Sequence, residues 1–183
     1  MNDTHTTQRD YTPLQKLTPA PTTEATMQRL ADALWQHFHT KATADKGLSW
    51  VGFYFAPHHT FTDHSGLSLT PDTGQMLLGP SRDKPACSPI PLSGACGTAL
   101  KTRSTLLVNN IKNLGENYVA CDPRDTAELV IPLFNKQHHP YAVFDADSFD
   151  ENAFNTHDAD NIESLLTRLG LSHPATPTPI TAR

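Results

Sequence analysis

Three short segments of the chain combine side chains able to do chemistry. The first, Lys84-Pro-Ala-Cys-Ser-Pro-Ile-Pro-Leu-Ser-Gly-Ala-Cys-Gly-Thr-Ala99, places Cys87 at the start of an expected strand and Cys96 at a turn before Gly97. The second, Tyr118-Val-Ala-Cys-Asp122, is a loop carrying Cys121 towards the apolar run Glu128-Leu-Val-Ile-Pro132. The third, Val143-Phe-Asp-Ala-Asp-Ser148, sets Asp145 and Asp147 two residues apart, so on a strand both point to one face. Carboxylates on one face of an apolar strand are costly unless solvated, paired or used. A polar strand end at a sheet edge and a working acidic pair both meet that condition. The thiols are equally open, because cysteine serves as a small buried apolar side chain, a metal ligand or a soft nucleophile.

Composition removes several classes of function. The 183 residues hold 14 Lys and Arg against 19 Asp and Glu, a net charge of -5, and no basic run or basic-aromatic stripe, which argues against a nucleic-acid partner. No apolar run approaches the roughly 20 residues that span a bilayer. Met1 to Asp10 is polar and lacks the apolar core of a secretory signal, so a cytoplasmic location is expected. Three cysteines, an odd number in such a context, do not suggest a disulfide framework. No C-x-x-C pair is present, and the pairs His58-His59 and His138-His139 lie in polar, loop-like surroundings, so neither a metal nor another cofactor is expected.

The elements that must position these side chains are legible from periodicity. Residues 1–21, rich in Thr and Pro, read as a disordered arm, and residues 172–183, with Pro174, Pro177 and Pro179, as a flexible tail. The domain between them, 22–171, opens with a helix from Thr22 or Thr23, whose stripe Met27, Leu30, Ala31, Leu34 and Phe38 faces a core. It closes with a helix from about Thr156 to Leu169. There Asn155 or Thr156 suits the N-cap, Asp158 the first turn and Gly170 the stop. Strands are expected at 49–55, 75–78, 87–90, 106–108, 128–134 and 141–147, with a short helix over 97–103 and a long polar connection over 56–74. This order implies an α+β domain, a largely antiparallel sheet with its N- and C-terminal helices on one side.

Together these segments resemble the free methionine-(R)-sulfoxide reductases, single-domain members of the GAF fold. The resemblance runs from about Trp50 to Leu169. It rests on Trp50-Val-Gly-Phe-Tyr54, Leu78-Gly-Pro-Ser-Arg-Asp-Lys-Pro-Ala-Cys87, Gly94-Ala-Cys-Gly-Thr-Ala99, Ala120-Cys-Asp122 with Glu128-Leu-Val-Ile-Pro-Leu133, and Asp145-Ala-Asp-Ser148. Two features depart from the family pattern. The interval between Cys87 and Cys96 is one residue short, and the 56–74 segment replaces a short hairpin.

The resemblance implies a GAF-like central antiparallel sheet and a thiol oxidoreductase acting on free methionine sulfoxide. Cys121 would be the nucleophile and Cys87 the resolving thiol, with Cys96 as an alternative partner. A thioredoxin-like dithiol would reduce the resulting disulfide. Glu128, Asp145 and Asp147 would line the substrate site, supplying a proton donor and a counter-charge for the amino acid's ammonium. Trp50 and Tyr54, which share a strand face, would pack the methyl thioether, although ordinary core packing also accounts for them. A homodimer is common for this fold. The second functional reading is a non-catalytic GAF module that binds or senses a small ligand.

Overall fold

In the computed structural model, which describes residues 8–39, 46–84, 86–117 and 121–183, the sheet is built around its longest strand. That strand is β8, Pro140–Ser148. It lies between β1 (Trp50–Phe55) and β7 (Ala127–Phe134), antiparallel to both. Outside β1 lie β4 (Gln75–Arg82) and then the short β5 (Ile90–Pro91). Outside β7 lie β6 (Thr105–Val108) and β9 (Ile180–Ala182). All neighbours in this seven-stranded order are antiparallel except β6 and β9, which are parallel.

Period-two alternation splits this sheet into two chemically different faces. On one, Val51, Phe53 and Phe55 of β1, Phe144 and Ala146 of β8 and Leu129 and Ile131 of β7 form a closed core with α1 (Thr23–Phe38) and α3 (Thr156–Arg168). On the other, Trp50, Tyr54, Val130 and Val143 pack with α2 (Ala95–Thr102). The N- and C-terminal helices thus share one side, as expected, and α2 takes the opposite side.

The helix ends follow their cap residues. Thr22 accepts from the backbone N–H of Ala25 at 3.1 Å, and the stripe Met27, Leu30, Ala31, Leu34 and Phe38 is buried. Asn155 and Asp158 close a reciprocal capping box at the start of α3. Gly170 follows with a φ of 72°, the left-handed conformation that a glycine adopts freely.

Four expectations need correction. The arm over 1–21 is not disordered where it is described, residues 1–7 lying outside the described residues. Tyr11 and Leu14, three apart around a 3-10 turn at Thr12–Lys16, are buried in the α1–α3 core. Tyr11 donates to Asp158 at 2.9 Å, and Arg9 pairs with the same carboxylate at 2.9 Å. Two apolar anchors and one ion pair suffice to dock it, and a Thr- and Pro-rich composition hides them.

The tail over 172–183 is likewise fixed. Thr105 donates to the carbonyl of Pro179 and Arg183 to that of Leu107, both at 2.8 Å, as β9 extends the sheet. The side chains of β9 are exposed, so main-chain pairing with an open strand edge fixes it, and side-chain periodicity carries no trace of that.

The 56–74 connection folds as a ribbon of β2 (Phe61–Thr62) and β3 (Ser68–Leu69). Phe61 stacks on Phe55 with ring centroids 4.0 Å apart. Finally, Cys87 does not begin a strand, and only Ile90–Pro91 pairs with β4. Pro89 and Pro91 lack the N–H that a longer ladder would need.

Candidate active site

The α2 side of the sheet is where the sequence places its carboxylates, and the register groups them. Asp147 sits opposite Trp50 on β1 and Glu128 on β7, while Asp145 sits opposite Gly52 and Val130. Glu128, Asp145 and Asp147 therefore meet on one face of the sheet's central strands. The strand-end reading of the Asp pair is excluded, since β8 is an interior strand and Asp145 is only 6% exposed. Glu128 is equally buried, and Asp147 is half-buried.

Gly52 gives Trp50 its place. A Cβ at residue 52 would lie 2.5 Å from the Trp50 ring, so the glycine lets the indole lie flat along the face between residues 50 and 54. Trp50 and Tyr54 stand with ring centroids 5.9 Å apart. They also hold main chain: the Trp50 indole donates to the Lys84 carbonyl at 3.2 Å and the Tyr54 hydroxyl to the Cys87 carbonyl at 3.0 Å.

These groups line a cavity of about 110 Å³ between the sheet and the start of α2, with Cys96 and Cys121 also on its wall. Cys96 is not in a turn before Gly97 but within the first turn of α2, where it is buried. Gly97 permits this, because a Cβ there would come within 2.3 Å of the Leu92 carbonyl. The Cys96 thiol donates to Asp145 at 3.3 Å. One oxygen of Glu128 and one of Asp145 are buried with no hydrogen-bond partner among the described residues. The Cys96 sulfur and one oxygen from each carboxylate lie within 4.8 Å of one another, close enough to surround a small cation or an ammonium.

Burial shapes the electrostatics. Desolvation pushes Glu128 and Asp147 well above the usual carboxylate range, and the neighbouring Asp145 adds repulsion. Asp145 is pushed up to about 7 by its burial, with the hydrogen bond from Cys96 working in the opposite sense. Burial and the same carboxylates hold the Cys96 thiol firmly protonated. The site thus combines an acid that titrates near neutrality with two whose carboxyls burial pushes well above the usual range.

Cys121 and Cys87 are exposed at the rim. The Cys121 sulfur is partly enclosed, and this pushes its pKa up to about 12. The Cys87 side chain lies against it and adds to the rise, while the Cys87 backbone N–H acts in the opposite direction. All eight sequence-predicted residues meet here. Tyr118 to Ala120, leading into Cys121, lie outside the described residues, as does Pro85.

Sequence reading missed Asp125 and Lys84. Asp125, 3% exposed, accepts from the Ser49 hydroxyl at 2.5 Å and lines the cavity as a further carboxyl. Lys84 is the basic residue of the described cavity wall. No periodicity could have found Asp125, because Asp122-Pro-Arg-Asp125 reads as loop and Asp125 stands before the strand that carries Glu128.

Residues 20–171 match the model of the GAF domain family. Protein ZMO0507 of Zymomonas mobilis subsp. mobilis is 31% identical over 147 residues, covering 80% of this chain and 77% of that protein. The free methionine-R-sulfoxide reductase of Saccharomyces cerevisiae is 28% identical over 143 residues, covering 78% of this chain and 71% of that protein. Among solved structures, free methionine-R-sulfoxide reductase from Neisseria meningitidis in complex with its substrate is similar with a TM-score of 0.62 and 26% identity, covering 81% of this chain and 76% of that chain. A match running from the residues before α1 to the end of α3, over a sheet of this order, makes the chain a member of the GAF domain family.

Proposed function

We propose that this chain reduces free methionine (R)-sulfoxide to methionine, with Cys121 as nucleophile. The observation that carries the reading is the acidic wall of buried Glu128 and Asp145 with half-buried Asp147, facing a cavity with two adjacent thiols at its rim. The names of the yeast relative and the Neisseria structure support the substrate and its R configuration.

Sulfoxide reduction needs a soft nucleophile and a proton donor. The Cys121 sulfur attacks the sulfoxide sulfur while the oxygen is protonated, giving methionine and a Cys121 sulfenic acid. Glu128 and Asp147, in which burial favours the protonated form, are the candidate donors. Asp145, which titrates near neutrality, supplies the carboxylate that pairs with the substrate's ammonium. A thiol with a pKa near 12 is a poor nucleophile at neutral pH. An ammonium entering the cavity favours the thiolate, so Cys121 is activated when substrate is bound. Cys87 then closes a disulfide with Cys121, and a thioredoxin-like dithiol reopens it.

Turnover of free methionine (R)-sulfoxide with thioredoxin and its reductase tests the reading. Counting free thiols before and after one equivalent of substrate tests the chemistry independently. Two thiols should disappear per methionine formed. Binding without methionine formation or thiol loss would instead identify a ligand-binding GAF module.

A further inference from the structure

The two rim thiols are carried by loops that the sheet does not join. Cys87 follows β4 and Cys121 precedes β7, and those strands are separated in the sheet by β1 and β8. Tyr54 holds the Cys87 carbonyl and Trp50 the Lys84 carbonyl, so the first loop is pinned to β1. Beyond the contact of Cys87 with the Cys121 sulfur itself, the described part of the second loop is joined to the first by charge. Asp122, next to Cys121, accepts from the ammonium of Lys84, three residues before Cys87. Its carboxylate also takes two bonds from the guanidinium of Arg124, at 3.0 and 2.7 Å.

Both cations stand over the ring of Phe149, just beyond β8, with Lys84 at 5.3 Å and Arg124 at 4.6 Å from its centroid. The Asp122 side chain is 13% exposed and that of Lys84 32%, so water screens this pair less than a surface pair. Arg124 and Lys84 hold the Asp122 carboxyl well below the usual carboxylate range, which keeps it charged. Arg124 lies two residues from Asp122 on the same loop and cannot join the loops. Lys84 can.

We propose that the Lys84–Asp122 ion pair is a tether that holds the Cys87 loop against the Cys121 loop, making Lys84 and Asp122 positioning residues for disulfide closure. The proposal rests on the reductase reading above. In the step concerned, the Cys87 sulfur attacks the sulfur of the Cys121 sulfenic acid. An S–S bond forms and the S–O bond breaks. The oxygen leaves as water, taking the Cys87 thiol proton. Cys87 is oxidised, and the Cys121 sulfur passes from the sulfenic to the disulfide level. The rate of such a step scales with the effective concentration of one thiol at the other, which a cross-loop tether raises.

The experiment mixes one equivalent of methionine (R)-sulfoxide with reduced protein and quenches over time. Methionine is followed by chromatography, free thiols by alkylation and mass spectrometry, and sulfenic acid by dimedone capture. Each variant is scored as the rate of disulfide closure relative to the rate of its own methionine formation, so a general loss of activity does not count. Lys84→Met and Asp122→Asn should each lower that ratio about 10-fold and leave dimedone-reactive Cys121. Lys84→Arg should restore it to within about 2-fold, and Arg124→Gln should lower it less than Lys84→Met does. An unchanged ratio in Lys84→Met and Asp122→Asn overturns the tether, as does an equal fall in Lys84→Arg. If the unsubstituted protein forms no methionine, the reductase reading itself has failed, and the two failures are thereby told apart.

Discussion

Strand β8 has two faces that obey opposite rules. Ala142, Phe144 and Ala146 point into the closed α1–α3 core, and all three are apolar and fully buried. Val143, Asp145 and Asp147 point the other way, Val143 into the apolar cluster under α2 and the two carboxyls into a cavity where, among the described residues, two buried carboxyl oxygens have no partner. The same backbone and hydrogen-bond ladder serve both. The first face supplies stability by removing apolar area from water, and the second consumes some of it to keep unsatisfied polar groups in place. The comparison locates stability and reactivity on opposite sides of one sheet, about the thickness of a strand apart.

The sharpest break comes on the cavity side. Cys121→Ser should abolish single-turnover methionine formation without lowering the unfolding midpoint, because the rim residue is exposed and a hydroxyl is a far weaker nucleophile. One methionine per chain from this variant, without added reductant, would remove Cys121 from the role.

The converse change is Phe144→Ala. Phe144 is completely buried and meets Phe53 edge-on with centroids 5.6 Å apart. Its loss should cost about 3–5 kcal/mol in urea unfolding while the folded fraction keeps its first turnover. Folded but inactive protein would show that the two faces are not separable.

Asp145→Asn sharpens the contrast by improving stability while harming function. Burial raises the Asp145 pKa from 3.8 to about 7, so the folded chain keeps a proton that the unfolded chain releases. Stability therefore falls as pH rises between those two values, by up to roughly 4 kcal/mol once pH exceeds the folded pKa. Asparagine removes this loss. The variant should be more stable than the parent at about pH 8 and equal to it at about pH 3, measured by thermal unfolding. Equal pH dependence in both proteins would mean that Asp145 is not held protonated by burial.

N-acetylation of the substrate probes the acidic wall from the ligand side. It removes the ammonium and leaves buried carboxyls facing a neutral amide. The expected loss in kcat/KM is about 10² to 10³-fold, since truncating one partner of a buried charge pair costs a few kcal/mol. Comparable kcat/KM for both substrates would point to peptide-bound methionine sulfoxide instead.

Much of this architecture was legible because local rules agreed with the fold. The stripe from Met27 to Phe38, the cap at Asn155 and the alternation along 141–147 each announced an element that formed. The docked arm was illegible because Tyr11 and Leu14 are too few to make a pattern, and β9 because main-chain pairing leaves no side-chain signal. Residue types and spacing alone determined that Asp145 and Asp147 share a face, and that Trp50 and Tyr54 share another. Only the tertiary structure decided that those faces coincide, since strand order and register put Asp147 between Trp50 and Glu128. It alone decided the standing of each thiol, leaving Cys96 a buried donor to Asp145 and bringing Cys87 against Cys121. The physical reason is that charge, burial and reach depend on neighbours distant in sequence. A chain's local pattern fixes which way a side chain points, and the fold fixes what it meets there.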